Sequence, residues 1–228
     1  MQRSLWYEAI IITAFLVAIT GIIAASGLDL LVSSRFYIAD GWPVGEQFPW
    51  KLLYKIDRYP ALLLAVTGLG IGIRSFMRNK WNRKARCGTF LVLLLALGPG
   101  LLVNVVFKDG WGRPRPRQVI EFSGENTFLQ PWQKGVTGEG RSFPSGHAAA
   151  AFYMTAPFFI YRRRRPNLAY IWLTGGICFG ILMSIARITQ GGHFLSDTIW
   201  SFGMVYLTGL LLSVLLGLNK SDGKTGIS

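Results

Sequence analysis

The sequence predicts an all-α, polytopic membrane protein that forms one domain over residues 1–228. Of the residues, 51% are hydrophobic and only 15% are charged, which is too apolar for an ordinary soluble domain. The basic residues alternate with apolar runs, so the net charge of +13 does not indicate a nucleic-acid-binding face. Six apolar segments approach or exceed the ~20 residues that a helix needs to cross ~30 Å of hydrocarbon. These segments are residues 8–28, 59–76, 88–107, 146–161, 167–186 and 197–218.

The first, third and fourth segments each carry a local feature. Arg3 and the small residues at 24–26 would fit a cleaved signal peptide, but the apolar run exceeds a signal core of ~7–15 residues, so we expect it to be retained. Pro99, between two glycines, is expected to kink the third helix or open room beside it. The fourth segment is the shortest and carries His147 in its first turn, so part of it is expected at the membrane interface.

Residues 33–58 mix aromatic and basic side chains, a composition typical of a helix lying among lipid headgroups. Such a segment anchors the protein as an aromatic belt. It could also guide a lipid headgroup sideways into a site.

Basic residues outside the sequence motifs predict the orientation, because lysine and arginine concentrate on the cytoplasmic side of a membrane. One set of segment ends carries thirteen of them, so we expect both termini in the cytoplasm and the ends near residues 108, 147 and 193 outside. In a bacterium this is the periplasmic face of the inner membrane. The thirteen residues are Arg3, Arg74, Arg78, Lys80, Arg83, Lys84, Arg86, Arg162, Arg163, Arg164, Arg165, Lys220 and Lys224.

Three motifs lie at these outer ends, and the first is Lys108-x6-Arg115-Pro116. Proline biases Arg115 toward an extended backbone that can project its guanidinium inward. A lysine point charge and a planar arginine fork suit phosphoryl oxygens, although basic residues at segment ends usually anchor headgroups. We assign that second role, a basic rim tempered by Asp109, to three neighbours. These are Arg113, Arg117 and Arg141.

The second motif is Pro144-Ser145-Gly146-His147, at the start of the fourth segment. Ser145 and Gly146 can present backbone N–H groups to a phosphate at a helix N-terminus, and the Ser145 hydroxyl can add another donor. An imidazole beside them can protonate a leaving alkoxide. Alternatively, Ser145 only caps the helix and His147 is a wet interfacial residue.

The third motif is Arg187-x5-His193-x3-Asp197. At this i, i+4 spacing Asp197 can accept a hydrogen bond from one ring nitrogen of His193 and leave the other as a nucleophile, provided that the last helix begins near here. Alternatively, Asp197 only caps the helix and His193 is a polar residue at the membrane interface. A charged Arg187 at the end of a span, close to this pair, favours an anion site.

Together the three motifs resemble the signature of the type 2 phosphatidic acid phosphatase superfamily, Lys-x6-Arg-Pro, Pro-Ser-Gly-His and Ser-Arg-x5-His-x3-Asp. They cover about ninety residues, from Lys108 to Asp197, and depart from the signature only at Ala186, where the family has serine. The six-segment layout extends the similarity over nearly the whole chain.

The resemblance implies a lipid phosphatase that needs neither metal nor cofactor. His193 would form a phosphohistidine, Asp197 would orient it, and His147 would protonate the leaving lipid oxygen. Lys108, Arg115, Arg187, Ser145 and Gly146 would hold the phosphoryl oxygens. The stretch from Gly112 to Pro131 is most similar to bacterial members that act on lipid A. Undecaprenyl diphosphate and phosphatidylglycerol phosphate stay open as substrates, as do a lipid-to-lipid phosphotransferase and a non-catalytic lipid-binding or transport protein.

Overall fold

The computed structural model describes residues 2–78 and 81–219. Lys80, Lys220 and Lys224 lie outside these ranges, and the side chain of Arg3 is not described, so four of the thirteen basic residues are not located. The described chain is all-α. Its helices are α1 Gln2–Ser26, α2 Leu28–Ser34, α3 Trp50–Ile56, α4 Arg58–Phe76, α5 Arg83–Leu95, α6 Lys108–Trp111, α7 Gly146–Phe152, α8 Ala156–Tyr161, α9 Pro166–Thr189 and α10 Leu195–Leu215.

Five helical stretches among the described residues are long and apolar enough to cross a membrane. They correspond to the first, second, third, fifth and sixth predicted segments. The stretches are Leu5–Ser26, Trp50–Phe76, Arg83–Gln118, Pro166–Thr189 and Leu195–Leu215.

The fourth predicted segment is shorter and is helical in three pieces. Helix α7 has 7 residues, a 3-10 turn has 3 and α8 has 6. The crossing of a membrane by this segment, and with it the total of six spans, stays a prediction. Its two ends nevertheless lie at opposite ends of the bundle. His147 is at the end that carries the other two sequence motifs. Arg162, at the other end, binds Glu8 of α1 at 3.0 Å and Asn219 at 3.1 Å.

The third stretch is widened where the sequence places proline. A π-helical segment, Ala96–Phe107, joins α5 to α6 and contains Pro99. Proline cannot donate a backbone hydrogen bond to the preceding turn, which favours a departure from regular α-helix. The Pro99 carbonyl accepts a hydrogen bond from the side-chain amide of Asn104 at 2.7 Å. This wide turn brings Lys108 to the start of α6 at the same end of the bundle as His147.

Helix α10 is the centre of the bundle. Leu16 of α1 packs where Gly203 of α10 has no side chain, and Trp200 donates to the Thr20 hydroxyl at 2.9 Å. On another face, the ring of Phe159 in α8 lies against Gly209. Because α10 is enclosed by its neighbours, its first turn, which carries Asp197, is buried as well.

The predicted interfacial segment forms a short 3-10 turn, Pro43–Glu46, followed by α3. Phe48 is 81% exposed, so part of this segment offers apolar surface to its surroundings. The segment is also joined to the rest of the chain, since Gln190 donates to the Gly45 carbonyl at 3.1 Å. Either role, membrane anchor or guide for a headgroup, fits this placement.

Candidate active site

The structure brings the three motifs together at one end of the bundle. Lys108 begins α6, His147 lies in the first turn of α7, and His193 stands between α9 and α10. Arg187 lies in the last turn of α9. The charges of Lys108 and Arg187 both act on the imidazole of His193, so these residues surround one site.

His193 is completely buried, and its two ring nitrogens have different environments. Nδ1 lies 2.6 Å from the backbone carbonyl oxygen of Ser142. A carbonyl oxygen can only accept, so Nδ1 carries the proton and Nε2 keeps its lone pair. Nε2 is buried and has no hydrogen-bond partner among the described residues. The ring is therefore fixed with an unpaired nitrogen lone pair at Nε2.

Asp197 is held by donors on both carboxylate oxygens. Arg113 donates to Oδ1 at 2.5 Å, and Oδ2 accepts from the Ser142 hydroxyl at 2.6 Å and the Phe194 amide at 2.7 Å. Nδ1 of His193 is 3.8 Å from Oδ2. The predicted hydrogen bond from the ring to Asp197 is therefore not made, because Nδ1 faces the Ser142 carbonyl instead. His193 precedes α10, so the pair does not share one helical face, and Asp197 also caps that helix.

Burial lowers the pKa of His193 to about 4. The adjacent Asp197 carboxylate opposes this shift because it favours the charged ring, whereas the positive charge of Arg187 adds to it. The imidazole is thus neutral at physiological pH, with its Nε2 lone pair available.

Arg113 is a correction to the prediction from sequence. We assigned it to a basic rim, but its side chain is fully buried. Besides Asp197 it binds Asp29 of α2 at 2.8 Å, and its Nε donates to the Leu129 carbonyl at 2.8 Å. The guanidinium also lies over the ring of Phe194, 4.6 Å from its centroid. Arg113 therefore connects the long loop to both the second and the last helix.

The other two residues of the predicted rim are on the surface. Arg117 and Arg141 are exposed, and Arg141 pairs with Asp109 at 2.6 Å, with both side chains about half exposed. Asp109 thus tempers the positive charge of this rim, as the sequence predicted.

Ser145 and Gly146 begin α7 against the third stretch. The Ser145 hydroxyl accepts from the Ala148 amide at 3.3 Å, so Ser145 does cap the helix. That hydroxyl keeps its own proton to donate. The Ser145 amide points to the Asp197 carbonyl at 3.4 Å. A Cβ at position 146 would collide with the Asn104 side chain, so only glycine lets α7 approach this closely.

His147 lies on the more open side of the site. Its ring stacks on Tyr54 of α3 with centroids 5.1 Å apart, and its Nε2 is 3.5 Å from Oδ2 of Asp57. The same tyrosine also covers Arg187, whose guanidinium lies 4.8 Å from the Tyr54 ring centroid. Helix α3 of the interfacial segment therefore contributes directly to the site.

Three cations lie near one another at this end of the bundle, since the charge of Arg115 acts on both Lys108 and Arg187. Lys108 is half-buried and 3.5 Å from the side-chain oxygen of Asn104. Arg187 is buried and donates to the side-chain oxygen of Gln190, while its Nε has no partner among the described residues. Side chains of fixed positive charge with unused donors can bind an oxyanion.

Five residues of the site were not assigned to it from the sequence: Asp29, Tyr54, Asp57, Arg113 and Ser142. Arg113 carried a visible signal, an arginine two residues before Arg115, but its burial depends on an aspartate 84 residues away. Ser142 acts through its carbonyl and hydroxyl, and nothing in the local sequence distinguishes it from other loop serines.

The fold and the site define a class: an all-helical, membrane-embedded protein with an oxyanion site built around two histidines. The sequence profile of the PAP2 superfamily, the type 2 phosphatidic acid phosphatases, matches residues 89–220. The chain is 34% identical over 193 residues to the lipid A 4'-phosphatase of Francisella tularensis subsp. novicida, covering 83% of this chain and 86% of that protein. The chain belongs to the PAP2 superfamily.

Two further comparisons agree with this assignment. Phosphatidylglycerophosphatase B of Bacillus subtilis is 29% identical over 161 residues, covering 68% of this chain and 64% of that protein. The crystal structure of a transmembrane PAP2-type phosphatidylglycerolphosphate phosphatase from Bacillus subtilis superposes with a TM-score of 0.57 at 21% identity, covering 96% of this chain and all of that one. The two proteins share the fold.

Proposed function

We propose that this protein is a metal-independent phosphatase that removes a phosphate from a membrane lipid through a phosphohistidine intermediate. One observation carries the proposal. Nε2 of His193 is a buried, unpartnered nitrogen whose lone pair is fixed by the Nδ1 contact with Ser142, in a site surrounded by cations. Membership of a superfamily whose named relatives are lipid phosphatases supports the same chemistry.

In the first step, the Nε2 lone pair of His193 attacks phosphorus, and the bond between phosphorus and the lipid oxygen breaks. His147 gives a proton to that oxygen, so the lipid leaves as an alcohol. Asp197 stabilises the positive charge that develops on the ring of His193, from a distance of 3.8 Å.

In the second step, water attacks the phosphohistidine and the bond between phosphorus and Nε2 breaks. His147, now neutral, takes the proton from this water. Inorganic phosphate leaves, and both imidazoles return to their starting protonation states.

The cations Lys108, Arg115 and Arg187 hold the phosphoryl oxygens in both steps, together with the hydroxyl of Ser145 and the amide of Gly146. Positioning and charge stabilisation contribute most of the catalysis of phosphoryl transfer, and here fixed side chains supply the positive charge.

Lipid A is our lead substrate. Its support is the 34% identity to the Francisella lipid A 4'-phosphatase over most of both chains. Phosphatidylglycerol phosphate is a second candidate because of the relative from Bacillus subtilis, and undecaprenyl diphosphate is a third. A phosphotransferase would use the same first step but would pass the phosphate to another lipid rather than to water. A non-catalytic lipid-binding protein would not need the fixed tautomer of His193.

A phosphate-release assay on purified protein in EDTA tests the reaction and the substrate. The panel contains lipid A, undecaprenyl diphosphate, phosphatidylglycerol phosphate and phosphatidic acid. We expect turnover in EDTA, fastest on lipid A, and inhibition by vanadate, which mimics five-coordinate phosphorus. A strict requirement for Mg²⁺ would contradict the mechanism, and phosphate appearing only on an acceptor lipid would indicate the transferase.

The location of the site is part of the proposal: the inner membrane of a bacterium, with six spans and the site facing the periplasm. Cysteine labelling tests it in an active variant without Cys87 and Cys178. A cysteine at Thr127 of the long loop should react with an impermeant thiol reagent in intact spheroplasts. One at Asn82, between α4 and α5, should react only after lysis. The reverse pattern would place the site in the cytoplasm.

A further inference from the structure

Asp57 lies at the junction of α3 and α4, and its carboxylate does not cap the helix that it precedes. The backbone of Asp57 is itself helical, with φ −50° and ψ −41°, so α3 continues into α4 and leaves no free helix start for this carboxylate to cap. The residue is only 5% exposed. A buried carboxylate is costly unless a positive charge or a donor compensates it. The Arg58 amide and the charges of Arg58 and Arg187 offset part of this cost, and one further partner faces the carboxylate from another helix.

That partner is His147. Nε2 of His147 is 3.5 Å from Oδ2 of Asp57, whereas the guanidinium of Arg58 is 3.9 Å away on a side chain that is 76% exposed. Tyr54, stacked on the imidazole, limits how far the ring can turn away. Oδ2 of Asp57 thus lies within reach of a hydrogen bond to the ring after a shift of a few tenths of an ångström.

The charges around His147 make this contact consequential. Burial acts first against a positive charge on the ring, and its neighbours Arg187, His193, Lys108 and Arg58 add to this effect. Arg187 and Lys108 are needed to bind phosphate, yet a general acid must carry a proton when the substrate is bound. A carboxylate beside the ring offsets their effect and favours the imidazolium.

We propose that Asp57 is the positioning residue of the general acid. Its carboxylate binds the Nε2 proton of the His147 imidazolium, and the Nδ1 proton is given to the leaving lipid oxygen as the bond to phosphorus breaks. His147 is then neutral and ready to accept a proton from water. This role rests on the proposed phosphatase function. It gives the site two histidine–aspartate pairs, one for the nucleophile and one for the acid.

The test compares two phosphate monoesters with the same apolar tail, an alkyl phosphate and a nitrophenyl phosphate. An alkoxide needs a proton in order to leave, whereas nitrophenolate leaves without one. In Asp57→Asn, kcat/KM for the alkyl ester should fall about 10- to 100-fold, toward the lower end of what a general acid contributes. The nitrophenyl ester should be hydrolysed at nearly the wild-type rate. A purely structural role would slow both esters equally, and equal slowing would overturn the proposal.

Two controls sharpen this test. Glu46→Gln removes an exposed carboxylate of the same segment, which pairs with Lys51 at 2.9 Å, and should leave both esters unaffected. In a His147→Ala background, Asp57→Asn should add no further loss on the alkyl ester, since the two residues act as one unit. If Asp57→Asn does not fold, Asp57→Glu is measured instead, and it should give a smaller selective loss. Wild-type protein that hydrolyses neither ester nor any lipid would refute the phosphatase itself.

Discussion

The two histidines of the site stand in opposite surroundings. The side chain of His193 is 1% exposed, and that of its neighbour Asp197 is held by three donors at 2.5 to 2.7 Å. The side chain of His147 is 17% exposed, and its nearest carboxylate is 3.5 Å away. The proposed nucleophile is thus held by the protein itself before a substrate arrives, whereas the proposed acid has room beside it for a leaving group. Experiments on each side can test whether this division is real.

Removing each imidazole should separate the two sides most strongly. His193→Ala should abolish phosphate release, because the covalent intermediate cannot form. His147→Ala should retain a trace, since loss of a general acid typically costs ~10²- to 10⁴-fold. The rates are compared on purified variants that elute and melt like the wild type. Substantial turnover by a folded His193→Ala variant would show that another residue is the nucleophile.

Arg113 and Arg141 offer a matched pair of arginines from one loop. Arg113→Met leaves the buried carboxylates of Asp29 and Asp197 without their positive partner. Breaking such a buried pair lowers the free energy of unfolding by ~3–5 kcal/mol. Arg141→Met breaks an exposed pair worth ~0–1 kcal/mol. The free energy of unfolding in detergent should differ accordingly. Similar losses in both variants would mean that the buried network does not stabilise the fold.

The dependence of activity on pH in the acidic range tests whether His193 is buried. Its pKa of about 4 means that acidification through pH 4, rather than through ~6.5, protonates the ring and removes the nucleophilic lone pair. The chain has only two histidines, so His147→Ala leaves a single imidazole whose titration can be followed directly by NMR. The midpoint should lie near 4 in the folded protein and near ~6.5 after unfolding. A folded-state midpoint near the ordinary value would place His193 in contact with water.

Tyr54 should give the smallest effect. Its ring covers Arg187 and stacks on His147 from the open side. Tyr54→Leu should raise KM ~2- to 5-fold, which corresponds to the ~0.5–1 kcal/mol of an exposed cation–π contact. Tyr54→Phe keeps the ring and should behave like the wild type. A loss of kcat in the Phe variant would instead assign a role to the phenolic hydroxyl.

The sequence predicted the all-α membrane fold well because crossing hydrocarbon demands long apolar helices, whatever their packing. The fourth segment was the weak point. Its three short helical pieces pack against α9 and α10, and each is far shorter than a membrane span. Five of the six predicted segments match helices long enough to cross a membrane.

Residues at fixed spacings were equally accessible from sequence, and the structure places His147, His193 and the motif cations around one site. Partners from distant segments were not. Arg113 and Arg117 flank Arg115 in one stretch, and the sequence predicted the same basic rim for both. Arg113 is buried and Arg117 is exposed, because Asp29 and Asp197 together neutralise the charge of Arg113. Both aspartates lie 84 residues away from it in the sequence. Only the folded chain shows which arginine is buried.

The carboxylate of Asp197 also holds both ends of the long loop between α6 and α7. Arg113 binds one of its oxygens and the Ser142 hydroxyl binds the other, while the Ser142 amide closes on the Arg113 carbonyl at 2.9 Å. Residues 114–141 thus form a loop whose two ends are held together at one point. Lengthening such a loop costs little once its ends are fixed. A loop of different length that keeps arginine at position 115 can therefore be grafted between these two residues while His193 keeps its geometry.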